Sequence, residues 1–266
     1  MKKIWICLFA VIIVLLAVAC GYSGTQTNVE TQADEAVEIV VFAAASMTET
    51  LTEIAELYKE VHPNVTLTFN FDSSGTLKTQ IEEGAVCDLF ISAGQKQMDQ
   101  LDIKEDTRMN ILENKVVLAV PEDNPKTIET FEAMVEGLKD GSILLAMGNS
   151  DVPVGQYTQK IFDYYKLNEN KLADQGVITY GSNAKEVTTQ VKTGVVDCGI
   201  IYSTDAYVAG LYIVDYASDQ MCGQVIYPAA VMNTSEVKIH AQDFLDYLTT
   251  DEAMAVFETV GFTPVE

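Results

Sequence analysis

FDSSGTLKTQIEEGAVCDLFISA, residues 71–93, and YGSNAKEVTTQVKTGVVDCGIIYS, residues 180–203, are two versions of one pattern. Each opens on an aromatic residue, crosses a small polar loop containing serine, and enters an amphipathic stretch with Gln four residues before Gly. An acid and an apolar run follow. Gln80 and Gly84 answer Gln190 and Gly194, and Asp88 and Asp197 stand four and three residues beyond those glycines. The segments upstream also correspond: EIVVFAAASMTE, residues 38–49, is echoed by SILLAMGNSDVPVGQYTQKI, residues 142–161. Any two βα units share a general likeness. Here the whole order repeats, and each half runs strand, loop, helix, strand, loop, helix, strand. Such alternation implies parallel strands with helices on both faces. The repeat implies two related α/β lobes with a cleft between them.

Working outward, apolar spacing predicts a helix over 47–60, with Leu51, Ile54, Ala55 and Tyr58 on one face. Further helices are expected over 77–83, ended by Gly84, and over 157–165, 185–193, 240–247 and 251–260. Strands are expected at EIVVFAAA, VTLTFNF, DLFISA, KVVLAVP, SILLAMG, GVITYG, DCGIIYS and YPAAVM.

The beginning of the chain reads differently. Lys2 and Lys3 precede an apolar run over 4–19, short for a membrane span but suited to a signal peptide over 1–19. The run ends Leu16-Ala17-Val18-Ala19-Cys20-Gly21, and small residues before a Cys resemble the lipobox of bacterial lipoproteins. Residues 20–36 then form the lipidated Cys20 and a polar, flexible tether, with a reach on the order of 20–24 Å. The protein is therefore expected outside the cytoplasmic membrane, held by a lipid. Cys87, Cys198 and Cys222 remain after processing, an odd number without a CxxC motif; a Cys198–Cys222 bridge stays open.

The 266 residues hold 16 basic and 39 acidic side chains, a net charge of −23. Losing residues 1–19 removes two lysines and no acid, which leaves −25. This balance excludes a nucleic-acid binder, which needs a basic face. At first sight it favours a cation as ligand.

Four strand-to-helix junctions point the other way. They are Ala44-Ala45-Ser46-Met47, Asp72-Ser73-Ser74-Gly75-Thr76, Asp151-Val152-Pro153-Val154-Gly155 and Asn183-Ala184-Lys185-Glu186-Val187. In α/β sheets, ligands sit beyond the carboxyl ends of the strands. Helix starts there present unpaired N–H groups and a positive dipole end, enough to bind an oxyanion without Lys, Arg or His. Each junction also has a purely local reading. Ser46-x-x-Glu49 is a capping box, Ser73-Ser74-Gly75 a turn, Pro153 a helix start, and Tyr202 a core-edge tyrosine with a bonded hydroxyl.

At these residues the sequence resembles a known family. VFAAASMTETLTEIAELYKE and FDSSGTLKTQIEEGAVCDLFISAGQKQMDQL, then DVPVGQYTQK, GIIYSTDA and YPAAVM, look like the molybdate-binding receptors of molybdate ABC transporters, in the same order over about residues 38–264. The resemblance implies a two-lobed periplasmic-binding-protein fold of the second type, each lobe a mixed sheet flanked by helices. It assigns 37–115 and 226–266 to lobe one and 116–225 to lobe two. It implies molybdate or tungstate as ligand, no cofactor and no enzymatic activity. Carried over by position, the oxyanion contacts are Ser46, Ser74, the backbone N–H groups of Val154 and Val187, and the hydroxyl of Tyr202. Spacing favours Ser74 over Ser73. Asp72 and Asp151 are expected to face solvent or to cap N–H groups. The implied partners are an ABC permease and its ATPase subunits, met by a lipid-anchored monomer.

Three other readings remain. One keeps the fold and binds sulfate or phosphate. One is a serine hydrolase using Ser46 with His62 or His240, although no G-x-S-x-G elbow is present. One is a cation-binding lipoprotein, although no calcium-loop motif is present. With no titrating side chain in the proposed set, affinity should stay flat from about pH 6 to 9. The net charge adds a kinetic expectation. Association of a dianion should be slow at low ionic strength and should accelerate as salt screens the acidic surface. Stopped-flow tyrosine fluorescence measures this, because the one Trp, Trp5, lies in the signal.

Overall fold

The computed structural model describes residues 36–265. The signal peptide over 1–19, Cys20 and the tether before residue 36 lie outside the described residues. Strand β1 (Val37–Ala44) passes through a 3-10 turn (Ala45–Met47) into α1 (Thr48–Val61), and the chain returns as β2 (Val65–Asp72). Then come α2 (Ser74–Glu82), β3 (Leu89–Ile91), α3 (Gln95–Met98) and β4 (Met109–Asn114). A second passage holds β5 (Val116–Val120), α4 (Phe131–Asp140), β6 (Leu145–Gly148), α5 (Pro153–Tyr164), α6 (Glu169–Asp174), β7 (Ile178–Gly181), α7 (Ala184–Lys192), β8 (Cys198–Tyr202), α8 (Ser203–Ala209) and β9 (Tyr212–Tyr216). After α9 (Asp219–Cys222), β10 (Val225–Val231) leads to α10 (Lys238–Tyr247), α11 (Asp251–Thr259) and β11 (Thr263–Pro264).

Two sheets result, ordered β11-β4-β10-β3-β1-β2 and β7-β6-β8-β5-β9. Apart from β11, the two orders match when one is read backwards. β1 lies parallel between β2 and β3, as β6 lies between β7 and β8. The next strand is antiparallel in both: β10 beside β3, and β5 beside β8. Alternation alone predicts parallel sheets. They are mixed because β5 and β10 are the strands by which the chain arrives from the other sheet.

The sequence repeat has a structural cause. Asp88 accepts the backbone N–H of Val40 (2.8 Å) and the hydroxyl of Ser235 (2.6 Å). Asp197, its counterpart, accepts the backbone N–H of Leu144 (2.8 Å) just before β6. Each acid thus ties the entry to a third strand onto the neighbouring first strand. Gln80 accepts from Asn70 on β2 (2.7 Å), and Gln190 accepts from Thr179 on β7 (2.6 Å), so each Gln fastens its helix to the preceding strand.

Strand residues alternate between two cores, as a period of two requires. Under α2, Phe42, Leu77 and Phe90 form a small core; under α7, Val117, Val187, Val191 and Ile201 form its equivalent. The other face of both sheets joins one continuous core, including Val41, Leu89, Leu118 and Ile200. The helix expected over 47–60 begins one residue later, and those over 77–83 and 185–193 begin three residues and one residue earlier, at Ser74 and Ala184. β4, β9 and α4 are additions that the apolar spacing leaves unassigned. β9 is a half-exposed edge strand, so its pattern is weak.

Removing the shared acid should be costly. Asp88→Ala leaves a buried N–H and a buried hydroxyl without their acceptor. We expect a loss of about 2 kcal/mol or more in urea unfolding, with Asp88→Asn less damaging.

Candidate functional site

Register sets the site. Ala44 pairs with Asp72 at the ends of β1 and β2, and Gly148 pairs with Gly181 at the ends of β6 and β7. Ser46 and Ser74 each stand two residues beyond their paired positions; Val154 and Val187 each stand six beyond theirs. Four of the five expected contact residues therefore leave from matched points in the two sheets. Tyr202, the fifth, is the last residue of β8, next to β6.

The helix starts leave a defined set of N–H groups without an intrahelical acceptor. In α2, Ser73 is the cap and accepts from Thr76 N–H (3.0 Å), which leaves Ser74 and Gly75. Its hydroxyl also lies 2.9 Å from that of Thr76. The Ser73 hydroxyl is therefore engaged, whereas the buried Ser74 hydroxyl accepts Ala93 N–H (2.9 Å) and keeps its own proton to donate. In α5 the cap residue is Val152, which has no side-chain acceptor, so Val154 and Gly155 are left. Pro153 at the first position has no N–H to satisfy. In α7, Asn183 takes Glu186 N–H (3.0 Å), and Val187 N–H makes a long 3.3 Å bond to Asn183 C=O. A bond of that length suits a donor shared between two acceptors. Ala184 and Lys185 complete this turn.

The two lobes meet at these turns. A Cβ on Gly75 would stand 2.1 Å from the Asp151 carbonyl oxygen, so only glycine lets α2 reach the loop before α5. Asn183 donates to Asp72 (3.1 Å), Lys185 pairs with Glu49 (2.6 Å), and Gln97 donates to Gln156 (3.3 Å). Asp72 also accepts Ser73 N–H (2.7 Å), and Asp151 is exposed. Both acids are thus turned to N–H groups or to solvent.

Tyrosines line the centre. Tyr202 is 1% exposed, and its hydroxyl has no hydrogen-bond partner among the described residues. Such a group costs about 1–3 kcal/mol unless something accepts from it. Burial, helped by Tyr227 nearby, holds its ionisation well above the usual 10, so it stays a neutral donor. The Tyr227 hydroxyl lies 2.9 Å from Ser46 Oγ and accepts from Asn114 (3.2 Å). Asn114 also donates to Thr204 (2.9 Å) and accepts from Ser203 (3.0 Å). It stands where the chain crosses from β4 to β5, so one amide joins both sheets at the hinge. Sequence reading passes over Tyr227 and Asn114; the available signal for Asn114 is a polar residue at the end of a strand, and Tyr227, inside β10, has none. A further buried acid, Asp205 in the first turn of α8, lies 3.4 Å from Lys185. Burial, against the pull of Lys185, pushes its carboxyl up to about 6, at the acid edge of the pH range expected to be flat.

Several local readings are corrected. Ser46 is not a cap: α1 starts after Met47 without side-chain capping, because the preceding 3-10 turn already supplies an acceptor for Thr48 N–H. Glu49 instead reaches across to Lys185. The expected bonded hydroxyl on Tyr202 has no hydrogen-bond partner among the described residues. Cys87, Cys198 and Cys222 are free, buried thiols. The hydrolase pairing with His62 is not assembled. His62 stacks on Tyr58 at the far end of α1, about 20 Å along the helix from Ser46. The remaining set consists of neutral donors on helix ends, an arrangement that holds a small anion.

Comparison with known proteins places the chain among solute-binding proteins. A family model, the bacterial extracellular solute-binding protein, matches residues 39–263. A Bacillus subtilis (strain 168) protein provisionally described as an ABC transporter substrate-binding lipoprotein, YvgL, is 34% identical, with 98% of each chain covered. The molybdate-binding protein ModA of Haemophilus influenzae is 33% identical over 85% of this chain and 90% of its own. The fold is shared with the periplasmic molybdate-binding protein of Azotobacter vinelandii (TM-score 0.74, 20% identity, 86% of this chain and 100% of that one). It is also shared with the sulfate-binding protein SubI of Mycobacterium tuberculosis (TM-score 0.71, 17% identity, 86% and 88%).

Gly75→Ala separates folding from lobe contact. Each lobe should keep its stability, since Ala is a better helix residue than Gly by up to about 1 kcal/mol. The added methyl should hold the lobes apart. The expected result is an unchanged or slightly raised urea midpoint, together with a larger radius of gyration by X-ray scattering at saturating ligand.

Proposed function

Because the chain belongs to the bacterial extracellular solute-binding protein family, we propose that it captures molybdate, and also tungstate, for an ABC importer. The lobes are 37–115 with 226–266 and 116–225. The anion is held between them by Ser46, Ser74, Val154, Val187 and Tyr202. The observation that carries this reading is the buried Tyr202 hydroxyl, unpartnered among the described residues, together with the starts of α2, α5 and α7, whose first N–H groups have no intrahelical acceptor. All are neutral donors, suited to a dianion.

The mechanism follows from where the donors sit. Ser46 and Ser74 follow strands β1 and β2 of one sheet; Val154 and Val187 follow β6 and β7 of the other, in which Tyr202 ends β8. A dianion satisfies both groups only when the lobes are together, so its binding energy favours closure. The closed form is then what the permease and its ATPase subunits recognise. Cys20 carries the lipid that keeps a monomeric receptor at the outer face of the membrane. This sequence reading is supported by the likeness to a protein described as a lipoprotein.

Charge does not separate molybdate from sulfate, since both are dianions. Size does. Donors set for longer metal–oxygen bonds stand too far from a smaller ion, and hydrogen bonds weaken beyond about 3.2 Å. The alternative keeps the fold and takes sulfate or phosphate as ligand; a sulfate-binding protein shares that fold.

Isothermal titration of the purified protein decides between them. Molybdate and tungstate should bind tightly and sulfate far more weakly; equal affinity for sulfate would sink the size argument. Tyr202→Phe should lose about 1.5–3 kcal/mol of molybdate affinity, the worth of a hydrogen bond to a charged group. Retention of full affinity would remove Tyr202 from the contact set.

A further inference from the structure

Three charged side chains meet where the first turns of α1, α7 and α8 come together. Lys185 Nζ lies 2.6 Å from Glu49 and 3.4 Å from Asp205. Glu49 belongs to the lobe built on β1, whereas Lys185 and Asp205 belong to the other. Asp205 is 1% exposed, and neither carboxylate oxygen accepts a hydrogen bond among the described residues. A buried carboxylate in that state needs a counter-charge, and Lys185 is the cation within reach. The same turn of α7 presents the N–H groups of the proposed site, and its Asn183 reaches Asp72 on the opposite lobe. One helical turn therefore faces the anion with its backbone and the other lobe with its side chains.

The geometry points to Lys185 as a positioning residue for oxyanion capture, latching the first turn of α7 to Glu49 across the cleft while Asp205 anchors it within its own lobe. This inference rests on the oxyanion reading above. Anion binding and latch formation both require the closed arrangement, so each favours the other. The Glu49 pair is partly exposed, which keeps its share small. Loss of Lys185 costs more, because the buried Asp205 loses its counter-charge and must stay uncompensated or take up a proton.

A simple field effect gives a different pattern. Removing a positive charge would weaken anion binding, but removing the negative charge of Glu49 would strengthen it. The latch predicts weakening in both cases. Molybdate titrations of wild type, Lys185→Gln, Lys185→Arg, Glu49→Gln and the Lys185→Gln/Glu49→Gln double variant separate the two. We expect a loss of about ten-fold or more for Lys185→Gln and of about two- to five-fold for Glu49→Gln. The double variant should bind like Lys185→Gln alone, and Lys185→Arg should stay within about two-fold of wild type. Lys139→Gln, an exposed side chain on α4, serves as the unchanged control. Unchanged or tighter binding by Glu49→Gln, or additive losses in the double variant, would overturn the latch. Glu49 is half exposed, so its variant carries the test even if Lys185→Gln folds poorly. Wild-type protein that binds none of molybdate, tungstate, sulfate and phosphate would overturn the functional reading, and the role of Lys185 with it.

Discussion

Backbone N–H groups at the start of a helix need acceptors, and this protein gathers the starts of α2, α5 and α7, with the 3-10 turn at Ser46, where its two sheets meet. The rest of the architecture serves that constraint. Parallel pairing of β1 with β2 and of β6 with β7 brings the starts together in pairs. The crossings between β4 and β5 and between β9 and β10 set one pair against the other. Val152, a cap residue that cannot cap, leaves two donors of α5 open. In α2 and α7, Ser73 and Asn183 cap only the third N–H and leave the first two. Partial capping gives a helix that folds yet keeps N–H donors without an intrahelical acceptor.

Close approach is the second requirement. Gly75 meets the Asp151 carbonyl across the cleft, and Gly155 packs its backbone against Gly148 and Asn149. A side chain at either point would keep the donors apart. The buried network from Ser46 through Tyr227 and Asn114 to Ser203 and Thr204 spans the hinge without charge. Its members are paired; the Tyr202 hydroxyl beside it is not. That contrast singles out Tyr202 as the donor for the proposed ligand.

The net charge of −23 has little to do with ligand sign. The acids nearest the donor turns are engaged elsewhere: Asp72 by Ser73 and Asn183, Glu186 by Ser182, and Glu49 by Lys185. Other acids lie on solvated faces, where physiological salt screens them beyond about 8 Å. Neutral dipoles at close range outweigh distant charge, so an acidic protein is compatible with an anionic ligand.

The sequence by itself determined the repeat, the α/β class, the order of most strands and helices, and the four junctions that matter. It could do so because period, caps and turn residues are local, and Asp88 with Asp197 and Gln80 with Gln190 mark equivalent local jobs. Only the tertiary structure decided that Ser46 bonds Tyr227 instead of capping α1, that Ser73 is consumed by its own helix while Ser74 keeps a proton to donate, and that Asn114 joins the two sheets. It alone brought Lys185 to Glu49 and Asp205, and left Tyr202 without a partner. Ser46 and Tyr227 are 181 positions apart, Glu49 and Lys185 136, and Asn114 and Thr204 90. Local pattern carries no information about which distant groups burial will bring together, or which it will leave unpaired.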